Sequence, residues 1–157
     1  MKMTIRPFRS ADETTLNEIA GTAFAQYESN IPQLVWGEMY GEWCRMSNLQ
    51  YSGAIHVALY DERIVGGVCY LAPHCNKPSW FDPHSASIRS LVVHPMYRAM
   101  GVATSLTKLC VNHATADNSS YLELHTAPFM ESAVRLYERI GFKKSRDLDL
   151  GNGVPWV

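Results

Sequence analysis

Apolar and polar residues near the start of the chain follow first a strand-like and then a helical spacing. The alternation from Thr4 to Phe8 predicts a first strand. The run from Ser10 to Glu13 has the form of a capping box, which predicts a helix start. The apolar positions of this first helix are Leu16, Ile19, Ala20, Ala23, Phe24 and Tyr27.

A second helix is predicted after Asn30 and Pro32, which suit a helix cap and a first-turn position. Its large side chains cover more than one face, which is typical of a helix packed on two sides and also fits the wall of a substrate pocket. They are Val35, Trp36, Met39, Tyr40, Trp43 and Met46.

The middle of the chain predicts three strands. Ala54 to Tyr60 and Arg63 to Leu71 form a hairpin around the turn Asp61-Glu62, a long loop runs from His74 to His84, and Ser85 to Val93 is the next strand. His94-Pro95 ends that strand, because proline cannot donate to a sheet ladder.

The remainder predicts a helix opening at Gly101, a strand from Tyr121 to Thr126, and a last helix ended by Gly141. Phe142 to Ser145 is expected to begin a further strand. The resulting order, β-α-α-β-β-β-α-β-α-β, predicts an α/β (mixed α+β) fold in one domain, residues 1–157, with helices on both faces of a mixed sheet.

Composition narrows the class of protein. The 157 residues are 46% apolar and 18% charged, with a formal net charge of −1, which is typical of a soluble globular domain and gives no sign of nucleic-acid or membrane-surface binding. No signal peptide is recognisable, so a cytoplasmic protein is expected. The four cysteines lack zinc-site spacing and are expected to be reduced thiols, and no metal is expected.

One loop has the chemistry of a phosphate site. A strand ending at Val93 is followed by Arg98 and by a helix start at Gly101, where free amides and the helix dipole favour an anion. Gly101 lets the backbone approach the phosphate, and Arg98 adds a positive charge. A dinucleotide-binding fold would need G-x-G-x-x-G after the first strand, and a phosphate-loop NTPase would need G-x-x-x-x-G-K-[ST]; neither is present.

The pattern R-x-x-G-x-A after Val-x-Pro, followed downstream by A-x-x-L-Y-x-x-x-G-F ending at Phe142, resembles the GNAT superfamily of N-acetyltransferases from about Ser87 onward. The resemblance implies a sheet of six to seven strands and acetyl-CoA as co-substrate. It also implies backbone pairing of a strand with the pantetheine arm, and a pyrophosphate held by the loop. The cofactor-binding residues are then Leu91, Val92, Val93, Arg98, Ala99, Met100, Gly101, Val102, Ala103 and Thr104.

Catalysis needs a neutral amine, although a lysine-like amine is neutral only about once in ~10³ at pH 7. The resemblance places Tyr137 where the family protonates the departing thiolate. Ser87 stands where many relatives carry a glutamate base, so His125 is the candidate base, with Glu123 two residues before it. Met130 replaces an asparagine that many relatives use on the cofactor.

The acceptor is expected to be a primary amine of a small molecule or peptide, because aromatic faces and carboxylates suit a cation. A non-catalytic acyl-CoA-binding or regulatory module is the alternative, and another acyl donor or a hydroxyl acceptor is a third hypothesis. A homodimer through an open sheet edge is also expected. The candidate acceptor-binding residues are Tyr27, Glu28, Trp36, Tyr40, Trp80 and Phe81.

Overall fold

A five-stranded sheet with helices on both faces forms the protein, and the computed structural model describes residues 2–157 of it. The strands lie in the order β1-β2-β3-β4-β5, antiparallel except for the parallel pair β4 and β5. No helix in residues 2–157 is long and apolar enough to cross a membrane. The elements are β1 (Met3–Pro7), α1 (Glu13–Phe24), α2 (Gln33–Trp43), β2 (Ala54–Tyr60), β3 (Arg63–Leu71), β4 (Ala86–Val93), α3 (Val102–Ala116), β5 (Leu122–Glu123) and α4 (Glu131–Ile140).

The predicted hairpin is confirmed with its bounds, β2 and β3. Asp61 and Glu62 both have positive φ, 46° and 67°, as a two-residue hairpin turn of the matching twist requires. Alternate residues of these strands enter two separate cores, one on each face of the sheet. Leu16 of α1 packs on one face, and Leu106 of α3 packs on the other.

A bulge interrupts β4 at Ser90. Arg89 pairs with Cys69 and Leu91 pairs with Val68, so Ser90 has no partner across the ladder, and its φ is +58°. Because one extra residue shifts the alternation, Arg89 faces the α1 side of the sheet together with Cys69, while Leu91 faces the α3 side.

The start of the first helix differs from the prediction. Glu13 opens α1, and a 3-10 turn, Ser10–Asp12, precedes it; within this turn the Asp12 carboxylate accepts a hydrogen bond from the Arg9 amide at 2.8 Å. Arg6 clamps the same carboxylate with two bonds of 2.7 and 2.9 Å. An aspartate in reach of both an amide and a guanidinium therefore fixes the turn before α1, where the sequence pattern predicts a capping box of Ser10 and Glu13.

The expectation of six to seven strands is wrong, since the sheet has five. The strand expected from Phe142 to Ser145 does not form, and the three residues that follow Phe142 in this segment are polar and exposed. Lys144 instead pairs with Asp147 at 2.6 Å. The strand predicted from Tyr121 to Thr126 is reduced to the two residues of β5.

The last residues of the chain turn back towards the sheet. Leu148 and Trp156 form an isolated antiparallel bridge, and Thr126 exchanges two backbone hydrogen bonds with Val157, at 2.9 and 2.8 Å. Trp156 is buried with Met130 in a third apolar cluster beside α2. This tail occupies the edge of the segment that follows β5.

Candidate cofactor and acceptor site

The loop between β4 and α3 presents free backbone amides at a helix start. Gly101 caps α3 in the left-handed conformation, with φ +83°. The first helical hydrogen bond runs from the Ser105 amide to the Gly101 carbonyl at 3.0 Å. The amides of residues 102–104 therefore have no acceptor inside the helix, which makes this turn an anion site of the kind that the sequence predicts.

Side chains from the sheet hold this loop in place. The Tyr60 hydroxyl donates to the Met100 carbonyl at 3.0 Å, and the Tyr60 ring stacks on Tyr97 with centroids 5.9 Å apart. Ala99 also adopts a left-handed φ of +58°, and Arg98 is exposed. These contacts position the backbone of the loop, whereas the Arg98 side chain extends into solvent.

β4 and β5 diverge immediately below this loop. They pair only at Ala86 with Leu122 and at Ser87 with Glu123. Residues 91–93 pair with β3 on one side, and no strand in residues 2–157 pairs with their other side. An extended chain of amide groups can add to such a free edge as a strand would.

A cavity of about 450 Å³ lies on the α1 and α2 side of this gap. Four predicted site residues line it together: Tyr27, Leu91, His125 and Tyr137. The cavity is also lined by residues that the sequence did not mark as site residues, among them Trp43, Arg89 and Trp156. A second cavity, of about 950 Å³, follows β5 and shares His125 and Tyr137 with the first.

The other predicted acceptor residues are divided between these regions. Trp80 and Phe81 line the second cavity. Glu28, Trp36 and Tyr40 line neither of the two. The Tyr40 hydroxyl donates to a carbonyl of α1, at Gly21, with a length of 2.9 Å, and Trp36 stacks on Tyr40 at 4.8 Å, so both rings serve the packing of α2.

Tyr137 lies on α4 at the junction of the two cavities, with its ring edge-to-face against Phe142 at 5.6 Å. Burial raises the pKa of the Tyr137 hydroxyl above its usual value near 10. The phenol is therefore protonated at neutral pH and can serve as a proton donor.

His125 is enclosed by aromatic rings. The centroids of Trp80, Phe81 and Trp156 lie 5.5, 5.7 and 5.1 Å from its own. Burial lowers the pKa of His125 to about 4, with a smaller effect from the positive charge of Arg89. The imidazole is thus neutral at pH 7 and can accept a proton, although a pKa of about 4 makes it a weak base.

Ser87 in β4 and Glu123 in β5 are paired across the sheet, and Glu123 lies two residues before His125 in the chain. Ser87 is fully buried, and its hydroxyl has no hydrogen-bond partner. The Glu123 carboxylate, beside Ser87 in the sheet, accepts a hydrogen bond from the Asp82 amide and so tethers the preceding loop. Met130 accepts a hydrogen bond from the Thr126 hydroxyl through its sulfur at 3.6 Å.

Arg89 and Trp156 are among the cavity residues that sequence reasoning missed. A signal for Arg89 was available, because it is the one charged residue of β4 and an arginine is rarely buried without a partner. Trp156 follows glycines and a proline, and no local spacing shows that the tail returns to the sheet. No group of three or more His, Cys, Asp or Glu side chains with the arrangement of a metal site occurs in residues 2–157.

A helix start with free amides, next to a strand with a free edge, defines an α/β domain that can hold an extended ligand ending in phosphate. The chain matches the acetyltransferase (GNAT) family over residues 16–142 and belongs to that family. This confirms the resemblance and supports acetyl transfer as the general activity. No curated protein sequence matches the chain.

Solved structures share the fold. The PaiA N-acetyltransferase of Thermoplasma acidophilum, in complex with coenzyme A, is 17% identical, with a TM-score of 0.75 and coverage of 99% of this chain and 98% of that one. AAC(6')-Iy, in complex with a bisubstrate analogue, is 16% identical, with a TM-score of 0.63 and coverage of 96% and 97%. A transcriptional regulator from Bacillus halodurans C-125 is 22% identical, with a TM-score of 0.68 and coverage of 95% and 99%.

Proposed function

We propose that the protein is an N-acetyltransferase that moves an acetyl group from acetyl-CoA to a primary amine by direct attack in a ternary complex. The observation that carries the proposal is that free amides at the start of α3 follow the free edge of β4, and that Leu91 of this edge lines the same cavity as Tyr137. Family membership supports the same chemistry.

In this proposal the loop of residues 98–104 holds the pyrophosphate, through the free amides and through Arg98. The free edge at Leu91, Val92 and Val93 pairs with the amide groups of the pantetheine arm. A backbone amide near Val93 stabilises the charge that develops on the acetyl oxygen. These roles use backbone groups, so the apolar side chains of the strand can pack in the core at the same time.

Two side chains handle the protons. Tyr137 is protonated at neutral pH and donates to the departing sulfur. His125 receives the proton that the attacking amine loses, directly or through water. With a pKa of about 4, His125 is a weak base for this proton. The small fraction of the acceptor amine that is already neutral at pH 7 therefore also contributes to turnover.

The experiment combines calorimetric titration with acetyl-CoA and a thiol-release assay over a panel of amines. We expect Tyr137→Phe to bind acetyl-CoA as the native protein does but to lose about 10² or more in kcat. Tyr51→Phe is the matched control, because Tyr51 is 83% exposed and lines neither cavity. Unchanged turnover in Tyr137→Phe would remove the phenol from the mechanism.

A non-catalytic acyl-CoA-binding module is the second candidate. The serine at position 87 and the weak basicity of His125 favour it, since neither supplies a strong base. The neighbour from Bacillus halodurans is described as a transcriptional regulator, which is consistent with a regulatory use of the fold. Acetyl-CoA binding without thiol release on any acceptor would support this module.

The remaining expectations are part of the same proposal. A homodimer through the outer edge of β5 is supported by the apolar side chains along the second cavity, among them Leu122 and Leu124. The contributions of Glu28, Trp36 and Tyr40 to acceptor binding, and a cytoplasmic location, stay predictions.

A further inference from the structure

Buried polar atoms without a hydrogen-bond partner are concentrated around β4 and β5. Four of the five such side-chain atoms found in residues 2–157 belong to this region. The Arg89 guanidinium carbon lies 5.2 Å from the centroid of the Trp80 ring, which in turn contacts His125. The four atoms are Trp80 Nε1, Ser87 Oγ, Arg89 Nη1 and His125 Nδ1.

Arg89 is the charged member of this group, and it lacks an anion. The ion pairs within residues 2–157 join other residues, and no carboxylate lies within ion-pair distance of Arg89. Glu42 contributes a more distant negative charge from the exposed rim of the cavity. Stacking on Trp80 offsets only part of the cost of removing a guanidinium from water.

The bulge at Ser90 decides where this charge lies. It turns Arg89 to the α1 side of the sheet, where the side chain lines the 450 Å³ cavity. Tyr137 and His125 line the same cavity, so the arginine borders the space where the proposed chemistry takes place. Any anion paired with Arg89 would therefore belong to the acceptor.

We propose that the acceptor carries a carboxylate close to its amine, so that Arg89 binds the carboxylate while the amine lies towards Tyr137 and His125. This inference rests on the proposed function and specifies its substrate class, an amino acid. A planar guanidinium matches a carboxylate through two parallel hydrogen bonds. One arginine neutralises one negative charge, which fits a carboxylate better than a phosphate dianion.

The walls of the cavity specify the rest of the acceptor. Phe24, Trp43 and Trp156 present aromatic rings to it, so an amino acid with an apolar or aromatic side chain fits best. The carboxylate would also remove the net positive charge next to His125, which favours proton acceptance there only when the acceptor is bound.

The experiment compares each apolar or aromatic amino acid with its decarboxylated amine and its amide in the thiol-release assay. The pair phenylalanine and phenethylamine is one example. We expect kcat/KM to be at least about 50-fold higher for the amino acid than for its decarboxylated amine, because the latter has no carboxylate to pair with Arg89. Equal or better turnover of the amine and the amide would overturn the proposal. Better turnover of the aminophosphonate analogue would overturn the choice of carboxylate.

Substitution of the arginine gives the second measurement. Arg89→Gln is expected to raise KM for the amino acid at least about 50-fold, and Arg89→Lys to recover part of the loss, because lysine keeps the charge but not the fork. Acetyl-CoA affinity should stay unchanged in both variants. Arg63→Gln is the control, since Arg63 is exposed and lines neither cavity. A KM unaffected by Arg89→Gln would overturn the inference.

A failure of the proposed function is distinguishable from a failure of this inference. If acetyl-CoA binds but no thiol is released with any acceptor, the proposed catalysis is wrong. Calorimetric titration of the native protein plus CoA with the amino acid, the amide and the amine then tests carboxylate binding at Arg89 without catalysis. Selective binding of the amino acid supports the carboxylate site without requiring any variant to fold. Equal binding of all three, or no binding, overturns it.

Discussion

The same chemical change, glycine to alanine, is expected to have opposite effects at Gly101 and Gly37. Gly101 holds a φ of +83°, which disfavours any residue with a Cβ atom. Gly37 lies in α2 with an ordinary helical conformation. A Cβ atom at either position meets nothing within 4 Å, so packing does not enter the comparison and the backbone conformation alone sets the sign.

The magnitudes follow from this geometry. At Gly101, alanine costs about 1–2 kcal/mol in the left-handed region, offset by about 0.4–1 kcal/mol from the lower entropy of the unfolded chain, which leaves a net loss of about 1 kcal/mol. At Gly37, alanine gains about 0.5–1 kcal/mol in the helix interior. For a domain of this size, 1 kcal/mol moves the Tm by about 2–4 °C.

Urea denaturation and thermal melts of the two variants measure these shifts, and calorimetric titration measures acetyl-CoA binding. The new Cβ at position 101 points into open space next to the free amides of α3, so Gly101→Ala should also weaken acetyl-CoA binding, whereas Gly37→Ala should leave it unchanged. Stability changes of the same sign in both variants would refute the backbone argument. Undiminished acetyl-CoA affinity in Gly101→Ala would refute the position of the phosphate.

Two further predictions concern the ion pair of β1 and the buried thiols. Hydrogen bonds from Arg6 hold the pKa of Asp12 below its usual value, so the stabilisation is complete above about pH 4 and is lost as the pH falls through the lowered folded pKa. Asp12→Asn should therefore lower the free energy of unfolding by about 2 kcal/mol at pH 7, and by progressively less as the pH falls. Urea titrations at several pH values measure this difference, and a difference that does not change with pH would contradict the prediction. Burial raises the pKa of Cys69 and Cys110 to about 12. Iodoacetamide, followed by mass spectrometry, should therefore label both thiols slowly in the native protein and rapidly in urea. Fast labelling of the native protein would show that these thiols are accessible.

The parts of the fold that could be predicted from sequence are those with a strong local signal. The hairpin of β2 and β3 has two apolar runs and a polar two-residue turn, and its bounds were predicted correctly. The helix start predicted at Gly101 is confirmed, and Gly101 caps α3 with a φ of +83°. In each case, the residues that fix the structure are neighbours in the chain.

The parts that could not be predicted depend on distant partners. The sequence predicts that the segment after Phe142 pairs as a strand. In the structure, the Arg146 guanidinium of this segment instead donates a hydrogen bond to the Trp80 carbonyl at 2.5 Å. Trp156 enters the cavity only because the tail turns back to Thr126. The orientation of Arg89 depends on a bulge, and bulges are set by pairing that no local pattern reports.

The bulge at Ser90 has a consequence for how the two halves of β4 can change. Regular alternation from Val92 would turn the side chain of Ile88 towards α1 and that of Arg89 towards α3. Because of the extra residue, the side chains before Ser90 face the opposite sides of the sheet from those that regular alternation of the later residues would give them. Substitutions in the first half can therefore redesign the cavity while the second half keeps its free edge in place. Under the proposed function, the acceptor-facing side chain of Arg89 could therefore change in evolution without moving the backbone edge that binds the donor.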